Sequence, residues 1–232
     1  MESSQKIMKK ARKFTMIDLF RYRSLRYLTL VLVVMDCTLD LEYYAPTLML
    51  DQFKFSIFVN GLVVQSSLII ACLITTFIVN RFPRRAFNSF AYAIITICAL
   101  VLIFIWDQNK EEVTDIWSNV AVLALIFVNQ FIVIAEFNFF LVYINELFPT
   151  QVRIIGIGFI KIFGGLSQTL AAPLISVCLS SGFKIMIVFG VLAFICTFCT
   201  WLIPETFGKM PAELIEELRI IKGNNLDGKD NN

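Results

Sequence analysis

The sequence predicts an all-α membrane protein with six transmembrane helices, and three observations support this fold class. First, 58% of the 232 residues are hydrophobic and 16% are charged, whereas soluble domains average about 45–50% and about 25%. Second, basic residues are unevenly distributed between the connections. Third, the apolar residues concentrate in six stretches, each with roughly the 20 residues that span a hydrocarbon core as a helix. These stretches are residues 27–50, 56–79, 86–106, 120–143, 154–179 and 185–203.

The connections between the six spans differ in charge. Sixteen Lys and Arg residues lie before the first span, after the second and fourth spans or after the last, and three lie in the other connections. The positive-inside rule therefore predicts that both termini are on the cytoplasmic side, or its topological equivalent. The chain then divides into a basic cytoplasmic N-terminal segment, a six-helix transmembrane domain and a cytoplasmic amphipathic tail with a disordered end. These parts are residues 1–26, 27–203 and 204–232.

The N-terminal segment does not identify the membrane in which the protein resides. It lacks the short apolar core and small-residue cleavage site of a secretory signal peptide. Its basic, acid-poor composition is typical of a cytosolic flank and also of an organellar presequence. A multi-pass protein of the plasma membrane, of an internal membrane or of an organellar inner membrane fits the sequence.

The residue types that build most catalytic and metal sites are scarce. The chain has no His, which removes the usual proton-transferring base and the commonest metal ligand. All six Cys lie within apolar stretches, so neither a disulfide framework nor a zinc spacing is present. Cys196 and Cys199 have the Cys-x-x-Cys spacing of redox sites, but they lie in an unbroken apolar run and are expected to serve in packing. We therefore expect no enzyme, no metal, no cofactor and no nucleic-acid partner.

Three charged residues lie near the predicted mid-depth of three different spans. Measured from the cytoplasmic end of each span at 1.5 Å per residue, Asp36 lies about 13–14 Å deep in the first span, Glu136 about 15 Å in the fourth and Lys161 about 12 Å in the fifth. A charge at the bilayer centre costs roughly 2.5–3.5 kcal/mol, so such residues normally face a cavity or each other. Asp40 follows Asp36 on the same helical face, whereas Glu42 points elsewhere.

These positions support two readings. In the first, spans one, four and five line a cavity, span two is a weaker candidate, and spans three and six pack against lipid. The substrate-binding candidates are then Asp36, Asp40, Glu136, Lys161, Tyr143 and Gln65. In the second reading, Lys161 neutralises Asp36 or Glu136 as a structural pair, although this leaves a surplus of acids unexplained. Both readings stay open.

Three motifs carry a resemblance to a known family. Residues 143–156, YINELFPTQVRIIG, resemble the Y-x-x-E-L-Y-P-T-x-x-R-x-x-G segment of the organic cation/anion transporters in the major facilitator superfamily. Residues 204–209 are similar to that family's P-E-T-x-G segment, and residues 80–85 to its D-R-x-G-R-R loop. The resemblance implies a major-facilitator-type half bundle that corresponds to helices seven to twelve, the C-terminal half of a twelve-helix fold.

The family binds amphiphilic organic ions between two six-helix halves and moves them by alternating access. The resemblance implies a cytoplasmic network of gating charges formed by Arg81, Arg84, Arg85, Glu146, Arg153 and Glu205. Three departures limit what carries over. Asn80 and Pro83 replace the Asp and Gly of the family loop, and Gly165 is neutral where the eleventh helix often has a charge related to substrate sign.

Three functions remain as hypotheses. The first is a half-transporter in the lipid bilayer for small organic ions, with cations slightly favoured by the surplus acids, which needs a second six-helix half or a homodimer. The second is a non-transporting structural subunit of a larger membrane complex. The third is a fragment of a full-length transporter.

Overall fold

The computed structural model describes residues 20, 23–53, 55–108, 116–148, 152–181 and 184–205. Within these residues the chain forms six α-helices and a short 3-10 turn, with no strand. The helices are α1 (Arg23–Leu48), α2 (Ile57–Ile78), α3 (Arg84–Gln108), α4 (Ile116–Leu147), α5 (Arg153–Ser180) and α6 (Ile185–Trp201). The predicted all-α class is confirmed. The predicted basic N-terminal segment and the amphipathic tail lie almost entirely outside the described residues.

Among the described residues, four helices are long and apolar enough to cross a membrane: α2, α3, α4 and α5. Of the other two, α6 is strongly apolar but has only 17 residues, and α1 carries Asp36, Asp40 and Glu42 among its 26 residues. All six helices nevertheless coincide with the predicted apolar stretches to within a few residues. The side of the membrane on which the ends lie stays a prediction.

The helices pack as a bundle around α1. Helix α1 lies along α5, α3 lies along both α6 and α4, and α2 packs on α4. Helix α1 also contacts α4 and α6, so it reaches most of the bundle interior. The outer surface exposes large apolar side chains, such as Phe77, Phe104 and Phe198. Such a surface suits hydrocarbon, since lipid tails are as apolar as these side chains.

The connection between α1 and α2 is held by one buried amide. Ser56 caps α2 by accepting a hydrogen bond from the Val59 backbone N–H at 3.4 Å. The Asn60 side chain, which is fully buried, lies 3.0 Å from the carbonyl oxygens of both Leu50 and Phe55. This amide satisfies carbonyl groups that the turn leaves unpaired. After this turn, α2 packs on α4.

Candidate functional site

An ion pair joins α1 to α5 inside the bundle. Lys161 Nζ donates to Asp36 Oδ1 at 2.6 Å. The Asp36 side chain is fully buried, whereas 31% of the Lys161 side chain is exposed. Charge-assisted bonds of this length are among the stronger hydrogen bonds in proteins. The pair therefore has one sealed member and one member that is accessible from outside the bundle.

A glycine on α5 makes room for two carboxylates of α1. A Cβ atom at Gly164 would overlap the side-chain oxygens of both Asp36 and Asp40. Ser167, one turn further along α5, lies 3.1 Å from the Cys37 carbonyl oxygen and binds the two backbones together. The close approach of the helices is what lets α5 carry Lys161 beside the acids. The contact of Gly164 with these acids depends on how α1 and α5 are rotated about their axes, which the sequence alone does not give.

Aromatic rings lie beside the ion pair. Lys161 Nζ lies 4.5 Å from the centroid of the Phe137 ring on α4, a distance at which the cation is attracted to the ring face. Phe137 in turn stacks on Tyr43 at 5.9 Å between centroids, and Tyr43 meets Tyr44 edge to face. We call Asp36, Asp40, Tyr43, Phe137 and Lys161 the Lys161 site. It combines two carboxylates, one ammonium group and aromatic faces.

The other predicted binding residues lie apart from this site. Glu136 is fully buried, and its two carboxyl oxygens have no hydrogen-bond partner within the described part of the chain. Lys161 therefore pairs with Asp36 and not with Glu136. The Tyr143 hydroxyl donates to the Pro204 carbonyl oxygen at 2.7 Å, near the end of α6. Gln65 is exposed on the surface of α2.

Four of the six predicted gating charges meet at one end of the bundle. Arg84 Nη2 lies 3.1 Å from Glu146 Oε1, which joins α3 to α4. The Glu205 carboxylate accepts the backbone N–H groups of Arg84 and Arg85, both at 3.1 Å. A carboxylate is favourable there because the start of a helix presents free N–H groups and a positive dipole end. We call Arg84, Arg85, Glu146 and Glu205 the Arg84 cluster.

Contacts of Arg85 extend this cluster to α6. Its guanidinium donates to the Trp201 carbonyl oxygen at 2.7 Å and lies 5.0 Å from the Trp201 ring centroid. The two remaining predicted charges are Arg153 and Arg81. Arg153 donates to the Phe148 carbonyl oxygen at 3.3 Å. Arg81 is exposed, and among the residues that the structure describes its side chain forms no hydrogen bond or ion pair.

Comparison with known proteins identifies organic cation and organic anion transporters among the relatives of this chain. Organic cation/carnitine transporter 2 of Rattus norvegicus is 25% identical over 215 residues, which are 93% of this chain and 37% of the relative. Solute carrier family 22 member 13 of Homo sapiens is 26% identical over 204 residues, or 88% of this chain and 35% of the relative. Organic anion transporter 3 of Mus musculus is 24% identical over 208 residues, or 89% and 37%. The chain thus spans little more than a third of the length of these curated relatives.

The relatives are transporters rather than enzymes, which agrees with the prediction from composition. Together with four helices that are able to span a membrane, they indicate an integral, multi-pass membrane protein. The resemblance carried by the three motifs is confirmed at the level of the organic cation and anion transporters. A model of the sugar (and other) transporter family matches residues 1–218. The chain belongs to this family.

Proposed function

We propose that the chain is one half of a membrane transporter for small organic ions and binds its substrate at the Lys161 site. The observation that carries this proposal is the ion pair of the fully buried Asp36 with the partly exposed Lys161 at 2.6 Å. A pair that is enclosed on both sides leaves neither partner within reach of a ligand. Here the ammonium group is reachable from outside, so a ligand cation is able to displace Lys161 from Asp36.

The site favours a cation over an anion. Two carboxylates face one ammonium group, so the ionised site has one net negative charge. An organic cation replaces Lys161 at Asp36 and finds the Phe137 and Tyr43 rings as a second contact surface. The relatives include both an organic cation/carnitine transporter and an organic anion transporter, so their names alone leave the sign of the substrate open.

A second six-helix half completes the proposed cavity. The chain spans 37% of a relative such as organic cation/carnitine transporter 2, and the residues of its Lys161 site come from α1, α4 and α5. We place this chain as the C-terminal half, and the other half is either a second polypeptide, a second copy or a further part of the same protein. Alternating access then consists of rocking the two halves around the site.

The Arg84 cluster is the proposed gate. It ties the start of α3 to the end of α4 and to the chain after α6, all at one end of the bundle. Such contacts bias the equilibrium between open and closed states when one state forms them and the other breaks them. We expect the side with the cluster to be cytoplasmic, in line with the charge distribution of the sequence.

The test begins with the complex that carries this chain, isolated from its native membrane in mild detergent. Its intact mass is measured, and the complex is reconstituted in liposomes for uptake of labelled tetraethylammonium and labelled benzoate. We expect a pair of six-helix units that takes up the cation faster than the anion. The Asp36→Asn variant is expected to lose cation uptake, while Asp51→Asn, at an exposed acid outside the spans, keeps it.

Two results contradict the proposal. One is a large assembly of unrelated subunits with no uptake of either ion, which supports a structural role. The other is equal uptake by the wild type and by Asp36→Asn, together with equal uptake by Asp40→Asn. Preferential uptake of benzoate overturns the cation preference alone.

A further inference from the structure

A buried glutamine on α4 holds the backbone of α1 next to the Lys161 site. Gln130 is 3% exposed, and its side-chain amide donates to the Tyr43 carbonyl oxygen at 3.1 Å. The amide oxygen of Gln130 has no hydrogen-bond partner within the described residues. A buried polar group that is only partly satisfied lowers stability relative to an apolar side chain of the same shape. Such groups are expected mainly where they serve a function.

The segment of α1 that Gln130 contacts is a weak part of that helix. Pro46 lies inside α1 and has no backbone N–H, so the carbonyl group of Glu42 loses the donor that a helix normally supplies. Prolines inside helices are also where kinks occur. Tyr43 lies within this turn, so the hydrogen bond from Gln130 fixes α1 where its own ladder of hydrogen bonds is interrupted.

The ring of the same tyrosine is held by the same helix. Phe137 follows Gln130 by two helical turns on α4, so both side chains lie on one face, about 10 Å apart along the axis. The Tyr43 ring stacks on the Phe137 ring with 5.9 Å between centroids and 28° between planes. The Phe137 ring in turn lies 4.5 Å from Lys161 Nζ. Helix α4 thus holds Tyr43 at two points, its backbone through Gln130 and its ring through Phe137.

We propose that Gln130 is a positioning residue of the Lys161 site that sets the Tyr43 ring against Phe137 through the backbone of α1. Gln130 acts through Tyr43 rather than on the ligand, and the two rings form the surface that receives the organic part of a cation. Without the bond from Gln130, the backbone at Tyr43 shifts and the ring moves out of its stack. The inference rests on the proposed function for the effect on the ligand, whereas the position of the ring is measurable without a ligand.

Nuclear magnetic resonance on the purified full chain in mild detergent tests the ring position. Tyr43 and Tyr44 are the only adjacent tyrosines in the sequence, so tyrosine labelled with ¹³C at the carbonyl and ¹⁵N at the amide marks a single peptide bond. In Gln130→Met, we expect the Tyr43 carbonyl carbon to shift upfield because its hydrogen bond is lost. The Tyr43 ring resonance, identified by its loss in Tyr43→Phe, should move toward its position in Phe137→Leu. Gln52→Met, at an exposed glutamine in the turn after α1, should change neither resonance.

Equilibrium binding of labelled tetraethylammonium measures the consequence for the site. We expect Gln130→Met to weaken binding about three- to fivefold, the size of one cation–ring contact at a partly exposed site. In a Tyr43→Leu background, the same substitution should have no further effect, because the ring that Gln130 positions is absent. The unfolding midpoint of Gln130→Met should equal or exceed that of wild type, since the unpaired amide oxygen is removed. A merely structural residue would instead lower it.

The inference is overturned if the Tyr43 ring resonance is unchanged in Gln130→Met, or if the losses in affinity from Gln130→Met and Tyr43→Leu add. A shifted ring resonance in Gln130→Met, together with a wild-type chain that binds no tetraethylammonium, would support the positioning of the ring and contradict the proposed function instead. Gln130→Asn provides a second variant. Its shorter side chain draws the amide away from the Tyr43 carbonyl, so it should shift both resonances in the same direction as Gln130→Met.

Discussion

The two acidic regions of the bundle differ in the charge that faces them and in their access to the outside. At the Lys161 site, two carboxylates share a lysine whose side chain is 31% exposed. Glu42 and Glu136 are almost completely enclosed, and among the described residues their carboxyls have neither a hydrogen-bond partner nor an ion pair. Both regions include acids of α1, yet within the described part of the chain only the first has a base beside them and a partly exposed side chain.

This contrast teaches that the number of buried acids does not decide their role. A carboxylate with a base beside it stays charged and is able to exchange that base for a ligand cation. A carboxyl without a base is neutral and is able only to keep or release a proton. Substitutions should therefore change the free energy of unfolding by different amounts in the two regions, with large effects at the Lys161 site and small effects at the enclosed glutamates.

The largest effect is expected from Lys161→Met. Removing one partner of a buried ion pair leaves an uncompensated charge, and because Lys161 is partly exposed we expect a loss of about 2–3 kcal/mol in the free energy of unfolding. Thermal unfolding in detergent measures it. The double variant Asp36→Asn with Lys161→Met should lose less than the sum of the single variants. Additive losses would show that the pair is not coupled.

A smaller effect is expected from Gly164→Ala. The added methyl group collides with the carboxylates of Asp36 and Asp40, and overpacking of this kind costs about 1–3 kcal/mol. The neighbouring Gly165→Ala is the matched control, because a Cβ there meets nothing within 4 Å. That variant should be neutral or gain up to about 1 kcal/mol from helix propensity. Equal unfolding midpoints for the two variants would contradict the close contact between α1 and α5.

A still smaller effect is expected at the Arg84 cluster. The Arg84 side chain is 6% exposed and that of Glu146 is 33% exposed, so Arg84→Gln is expected to cost about 1 kcal/mol of unfolding free energy. Arg81→Gln, at an exposed arginine in the same connection, should change it by less than about 0.5 kcal/mol. Stability is measured for both variants at low and high salt. A loss at Arg81 as large as that at Arg84 would argue against the cluster.

The smallest effect is expected from Glu42→Gln and Glu136→Gln at neutral pH. Because both carboxyls are neutral, an amide of the same shape should alter the free energy of unfolding by less than about 0.5 kcal/mol. Chemical or thermal unfolding in detergent provides the value. A loss above about 2 kcal/mol at either position would mean that an ionised carboxylate with a cationic partner is present there.

The sequence predicted the helices better than the contacts between them. Runs of apolar residues have a length set by the bilayer, so the six helices were found almost to their observed ends. Helical rise also set the depth of Asp36, Glu136 and Lys161, and two of the three do meet. The depth of a residue does not give the rotation of its helix about the helix axis, however, and this rotation places Glu136 in the bundle interior. The contacts of Gly164 and Phe137 with the ion pair depend on that rotation too, so no pattern along the chain predicted them.

The central claim is that the Lys161 site binds an organic cation in place of the lysine. The most direct measurement is equilibrium binding of labelled tetraethylammonium to the purified complex, with wild type, Asp36→Asn and the exposed control Asp51→Asn compared. We predict saturable binding that weakens by about tenfold or more in Asp36→Asn, since a charge-assisted contact is worth about 1.5–3 kcal/mol, and that is unchanged in Asp51→Asn. Equal affinity of Asp36→Asn and wild type would contradict the claim, as would the absence of saturable binding to the wild-type complex.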